Sequence, residues 1–305
     1  MFIKVLGSSA GGGFPQWNCN CPNCAGVRTG QIRALPRTQS SIAVSANGQD
    51  WLLVNASPDI LTQIARTPEL QPARALRDSG IAAVLLMDAQ IDHVTGLLML
   101  RERSAPLPLL ATAEVQSDIA QGFPITRILS HYCGTQLHTL PIDGSAVHIP
   151  ELPGLELFTV ALHSKPPPYS PFRGAPRPGD NIGLIVRNPI NGQRVFYAPG
   201  LASVEPGLLE LMAGCHTVLV DGTCWTADEL QTLGVSPKSS LDMGHLPQSG
   251  PGGMIERLDR LPHTVRKVLI HINNSNPILR EDGPERQVLT DHGIEVAFDG
   301  MEIAF

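Results

Sequence analysis

Charge is scarce in this 305-residue sequence. Asp, Glu, Lys and Arg together make up 16% of it while hydrophobic residues make up 42%, a balance that excludes a chain held open by self-repulsion. No run of Lys or Arg occurs, and 22 basic residues against 28 acidic ones leave a formal net charge of -6. A nucleic-acid track as the main function is therefore excluded. Long apolar runs are missing too: the cleanest, Ile81 to Met87, is seven residues, against about twenty for a membrane-spanning helix. The opening Met1-Phe-Ile-Lys-Val-Leu lacks the regions of an export signal, so a cytoplasmic protein is expected. The glycine-rich Gly7 to Gly13 has no Gly-Lys-Ser/Thr ending, which argues against a Walker phosphate loop.

Turn formers are abundant instead. The chain has 29 Gly and 27 Pro, well above an ordinary share, and this predicts many loops joining short elements. Strands are expected at 2–6, 41–45, 51–55 and 81–87, with a hairpin turn at Asn47-Gly48. Later strands fit 155–160, 183–186, 194–197, 217–220, 267–271 and 293–298. Helices fit from Pro58, with Ser57 as N-cap, from near Val94, and at 205–212, 252–261 and 285–291. Hairpins followed by interspersed helices, with no repeat period, predict two sheets covered by helices, an α/β protein. The Pro-dense stretch from Lys165 to Gly179 is the one long irregular segment, and it reads as a lid.

Two constellations carry chemistry. Cys19-x-Cys21-x-x-Cys24 puts three thiols within six residues, and in a reducing compartment such a cluster suggests a metal, with tetrahedral zinc the expected occupant. A fourth ligand has to come from a distant part of the chain, which makes this a structural site pinning the N-terminal loop. The second is Asp88-x-Gln90-x-Asp92-His93, delivered at the end of a buried strand. Other polar residues also follow strand ends: His163, Asp221 and His271, with His245 in a Met243-Gly-His-Leu-Pro247 loop. Strand-end residues converge along one sheet edge, where open α/β proteins build sites.

This arrangement resembles the metallo-β-lactamase superfamily, whose motif is His-x-His-x-Asp-His followed by single His, Asp and His ligands at strand ends. The strings Gly7-Ser-Ser-Ala-Gly-Gly-Gly-Phe-Pro-Gln-Trp-Asn-Cys-Asn-Cys21, Asp221-Gly-Thr-Cys-Trp225, Met243-Gly-His-Leu-Pro247 and His271-Ile-Asn-Asn-Ser-Asn-Pro277 resemble, within it, the B family of pyrroloquinoline quinone (PQQ) biosynthesis. The resemblance covers nearly the whole chain. It implies an αββα sandwich of two mixed β-sheets flanked by helices, one domain over 1–305, with a Cys-rich metal loop at 17–25 and a lid-like loop at 164–180. The Cys cluster is similar to the zinc loop of phosphodiesterase members, where the fourth ligand is a His at the position of Asn274; the fourth ligand here stays open.

Aligned on Asp92-His93, the first two His positions hold Asp88 and Gln90, and the bridging Asp position falls near Gly200. A two-metal hydrolase needs both ions, so the dinuclear site is broken. The surviving ligands Asp92, His93 and His271 match the two-His, one-carboxylate set of mononuclear iron(II) oxygenases. The resemblance implies a pathway in which a Glu and a Tyr of a precursor peptide are cross-linked, excised and oxidised to a quinone. An iron-dependent hydroxylase acting on the tyrosine-derived ring is expected, with His163, His245 and Asp221 handling protons and Asp88, Gln90, Lys165, Arg173 and Arg177 at the substrate. The alternative is a non-catalytic carrier of PQQ or its precursor that assists transport to the periplasm. Expected partners are the small-molecule precursor or PQQ and other pathway proteins, without nucleic acid or membrane insertion.

Overall fold

The structure, a computed structural model, describes residues 1–304. Its strands are, in chain order, β1 (Phe2–Gly7), β2 (Ser41–Ser45), β3 (Trp51–Val54), β4 (Ile81–Leu85), β5 (Leu107–Ala111), β6 (Thr135–Thr139) and β7 (Glu156–Ala161). There follow β8 (Ile182–Arg187), β9 (Arg194–Ala198), β10 (Thr217–Asp221), β11 (Arg266–Ile270), β12 (Ile294–Val296) and β13 (Glu302–Ala304). They divide between a seven-stranded and a six-stranded sheet, both mixed in direction. Two compact units form: one of Met1–Gly7, Ser40–Gln193 and 300–304, the other of Ser8–Gln39 and Arg194–Asp299. Among the described residues no helix is long and apolar enough to cross a membrane.

The first unit holds the seven-stranded sheet, in the order β13-β1-β2-β3-β4-β5-β6. Its β13 to β3 side is antiparallel and its β3 to β6 side parallel. The β2–β3 hairpin turns where Asn-Gly predicts it, with Gly48 at φ 74°, a value that glycine adopts without a Cβ clash. Trp51, Leu53, Val84, Leu86 and Leu109 form its core with Ile60, Val115, Ile119 and Ile125 from three helices. Burying each such side chain contributes on the order of 1.5–3 kcal/mol.

Two helix starts differ from the sequence expectation, for local reasons. The helix expected from Pro58 spans Ile60–Arg66 with Asp59 as N-cap, because the Ser57 hydroxyl instead closes a turn on the Asp59 N–H (3.2 Å). The helix expected near Val94 is a single turn, Ile91–Val94, continued as a 3-10 segment, Thr95–Leu100. Here the backbone bonds sideways to Ala56: its N–H meets the His93 carbonyl (2.7 Å) and its carbonyl the Gly96 N–H (2.9 Å). A Cβ on Gly96 would lie 2.2 Å from the Ser57 carbonyl, so only glycine allows this approach.

The second unit is built on parallel strands β9 to β12. β10 is buried along its whole length, as a strand covered on both faces must be. Asp221, the last residue of β10, pairs in register with Ile270, the last of β11, so Asp221 and His271 leave the sheet at the same edge. The helix expected over 252–261 is confined to Met254–Leu258, since Gly252 sits at φ 74° outside helical space.

Candidate metal centres

In the first unit, β4 runs into the segment that carries buried Asp88 and His93 and half-buried Gln90 and Asp92. Asn55, at φ 61°, aims its Oδ1 at the Met87 N–H (3.0 Å) and fixes the start of that loop. Asp88 is buried, and its Oδ1 accepts both the Gln90 N–H (2.9 Å) and Nδ1 of His93 (2.7 Å). Nε2 of His93 is thereby turned towards Asp92, 3.8 Å from Oδ2. Burial disfavours a charged His93, yet Asp88 and Asp92 raise its pKa to about 9. A carboxylate on one ring nitrogen with the other presented beside a second carboxylate is how metal-ligating histidines are held.

In the second unit, Asp221, His245 and His271 bring ligand-type atoms within 4.8 Å of one another. Asp221 is wholly buried, and its oxygens accept the N–H groups of Leu201 (2.8 Å) and Thr223 (2.9 Å) and Nδ1 of His245 (2.6 Å). Burial would raise its pKa, but His245 and these bonds hold it below the usual carboxylate range. The rings of His245 and His271 stack with centroids 5.3 Å apart. The Thr223 hydroxyl donates to the His271 carbonyl (3.0 Å) and lies 3.0 Å from that ring's Nδ1. A hydroxyl has one proton to give, so it accepts from Nδ1–H, which places the His271 lone pair on Nε2. His271 is itself left-handed, φ 61°, a strained conformation typical of functional positions. A Cβ on Gly200 would meet nothing nearer than Cε1 of His245, at 3.8 Å.

The three cysteines also gather in the second unit. Cys21 caps the helix Pro22–Thr29, Cys24 lies in its first turn, and Cys19 accepts the Cys21 N–H (3.4 Å). Their sulfurs lie within 4.8 Å of one another, and Cys24 is completely buried. Burial pushes the Cys21 thiol up to about 11, so three thiolates this close need a cation to be stable together. The donor set fits zinc.

The Pro-rich loop keeps its cations largely to itself. Arg177 makes a two-nitrogen fork on Oδ1 of buried Asp180 (2.7 and 3.1 Å) and stacks on Phe172 (3.6 Å), while Arg173 bonds the Pro166 carbonyl. Tyr169 bonds the Ala89 carbonyl, and Ser170 bonds Asp118 (2.9 Å). His163 and Lys165 are exposed just after β7, with the Lys165 carbonyl 3.5 Å from the Gln90 amide. Thr223 and Asn55 lie outside the set of site residues expected from the sequence. The Thr two residues after a strand-end Asp was the available signal for the first.

Residues 50–272 match the Beta-lactamase superfamily domain. Coenzyme PQQ synthesis protein B of Cupriavidus taiwanensis is 65% identical over 302 residues, 99% of each chain. That of Cupriavidus necator is 63% identical over the same share of both. The chain belongs to the coenzyme PQQ synthesis protein B family. A solved structure of Zn(2+)-bound PqqB from Methylobacterium extorquens, 36% identical, superposes with a TM-score of 0.90 over 100% of both chains. A diphosphatase from the PhnP family, at 18% identity, shares the fold alone, with a TM-score of 0.67 over 100% of this chain and 96% of that one. The fold of this family member is thus the metallo-β-lactamase fold, two mixed sheets with helices.

Proposed function

We propose that this protein acts in PQQ biosynthesis as a mononuclear iron-dependent hydroxylase of the tyrosine-derived ring of a Glu-Tyr-type precursor. Its family membership supports the pathway. The observation that carries the chemistry is the pinning of His93 by Asp88, with Nε2 presented beside Asp92. The proposed iron-holding set is Asp92, His93 and His271, two imidazoles and one carboxylate. When bound, iron(II) supplies the activation of dioxygen that side chains cannot provide. Asp88 and Thr223 set the tautomers of His93 and His271 so that Nε2 is the donor atom of each. Asp221 holds the proton of His245 on Nδ1, so Nε2 of His245 is the atom that takes a proton from the phenol. His163 is proposed as a second proton-handling group, Gln90 and Lys165 at the substrate, and the loop over 164–180 as the element that excludes water, with Arg173 and Arg177 on it.

Hydrolysis is disfavoured by Gln90 and Gly200, since an amide in place of an imidazole holds the first ion poorly and a glycine offers no carboxylate to bridge two ions. Zinc-loaded protein is expected to show negligible phosphodiester or β-lactam hydrolysis. The deciding experiment is oxygen uptake after anaerobic iron loading, with a tyrosine- or catechol-like amino-acid substrate. One iron per chain and iron-dependent uptake, lost in His93→Ala and His271→Ala, are expected. Tight PQQ binding with no oxygen consumption for any such substrate would overturn the enzyme and leave a carrier.

A structural zinc at Cys19, Cys21 and Cys24 completes the proposal. Cys21→Ala should lower zinc content and thermal stability together.

A further inference from the structure

A cavity of about 650 Å³ opens in the first unit, at the far end of β4 from the segment that carries Asp88 and His93. Ile81, the first residue of β4, is in its wall, whereas Asp88 and His93 follow the last. The five residues of β4, roughly 15 Å of strand, lie between. The volume is within the range of small-molecule sites. Leu61 and Ile64 of the helix Ile60–Arg66, with Leu70, Ile81 and Met99, give the cavity an apolar wall.

Most charges around this wall are already satisfied. Arg74 pairs with Asp50 (2.8 Å) and Asp78 (3.1 Å), and Arg77 and Glu102, one of each sign, stand exposed. Arg103 and Glu151 differ. Arg103 is half-buried: Nη1 donates to the Ile81 carbonyl (2.8 Å), its other two nitrogens bond none of the described residues, and no carboxylate lies within ion-pair distance. Burial holds its pKa below the usual guanidinium range, and Cys133, Asp78 and Glu151 offset this only in part. Glu151 is half-buried too, and its Oε2 is buried with no hydrogen bond from the described residues. The two carboxylate oxygens exchange by a half-turn, so a donor at either one relieves the group.

Desolvating a charged group without a partner costs free energy. Here a guanidinium and a carboxylate face one apolar cavity and do not pair with each other. The complementary ligand has the reverse arrangement. We propose that this cavity is a second ligand site, which takes a small zwitterion with an apolar side chain, its carboxylate on Arg103 and its ammonium on Glu151. An α-amino acid and a dipeptide share that chemistry. The free Nε and Nη2 of Arg103 offer two N–H donors to a carboxylate, the strong form of such a bond. The site is independent of both the iron and the zinc readings.

The test is calorimetric titration of the full chain with L-leucine, L-phenylalanine and L-leucyl-L-leucine at millimolar concentration. Saturable binding of at least one is expected, and the dipeptide against L-leucine tells whether the two charges sit on one α-carbon or across a peptide. N-acetylation, which removes the ammonium, and amidation, which removes the carboxylate, should each weaken the bound probe roughly tenfold or more. Glu151→Gln should weaken the zwitterion by a similar factor while leaving its N-acetyl form unaffected, a readout that general damage to the fold would not give. Arg103→Gln should likewise spare only the amidated form, and if that variant does not fold the amidated probe on the parent decides. His93→Ala should bind as tightly as the parent. If no probe binds saturably, if N-acetylation leaves affinity unchanged, or if binding is lost in His93→Ala, the proposed site is overturned.

Discussion

Oδ2 of Asp221 meets Nδ1 of His245 at 2.6 Å while also accepting the Leu201 N–H at 2.8 Å. With Oδ1 taken by Thr223, the carboxylate is engaged on both oxygens. Asp221 is therefore placed to hold an imidazole.

Asp221→Asn should leave iron content near that of the parent but lower kcat for oxygen-dependent turnover roughly 10–100-fold, with KM little changed, because a neutral amide no longer stabilises a cationic His245. Iron analysis beside steady-state kinetics checks this. A parallel loss of iron would show instead that Asp221 is needed to hold the metal.

Asp88→Ala should act on His93 in the same direction and further. Removing the carboxylate leaves a buried ring N–H without its acceptor, at a cost of about 1–3 kcal/mol. Iron affinity should fall as well. Denaturant unfolding of the metal-free protein separates the first effect from the second.

A pH effect should trace to Glu229. Its carboxyl is buried between the Ser275 hydroxyl and the Trp225 N–H, and burial raises its pKa to about 7 from 4.5. The folded state then holds more protons than the unfolded state between about pH 4.5 and 7, so stability falls as pH rises through that window, by at most about 3 kcal/mol. Glu229→Gln should flatten the dependence of melting temperature on pH between 5 and 8. An unchanged slope would place the effect elsewhere.

Arg177→Ala should destabilise the loop that bears it. Asp180 is fully buried at its side chain, and without the guanidinium fork its charge would lie unpaired. Breaking such a pair costs about 3–5 kcal/mol when fully buried and less here, since Arg177 is partly exposed. Adding Asp180→Asn should recover part of the loss. Thermal melts of the single and double variants measure it.

Strand ends were the legible part of the site. Asp221 and His271 could be placed at one edge because both follow apolar strand candidates, and the parallel register of β10 and β11 aligns those C-terminal ends. Thr223 and Asn55 were not legible, since hydrogen bonds between residues tens of positions apart leave no local period. The ion pair of Arg177 is invisible in the sequence for a local reason, since Asp180, three residues on, folds back on it only when the loop is formed. Helix boundaries failed where the backbone bonds sideways, as at His93 to Gly96 against Ala56. Periodicity carries no information on such cross-chain bonds.

The left-handed backbone of His271 makes this position a point of conflict between selection pressures. A non-glycine residue at φ 61° is strained by about 1–2 kcal/mol, and His271→Gly would relieve that strain. A library screened only for heat resistance should therefore enrich that change, and with it lose the ring whose lone pair Thr223 sets. Screening the same library for turnover should purge it, so comparing the two enrichments at position 271 would measure how much folding stability the chemistry costs.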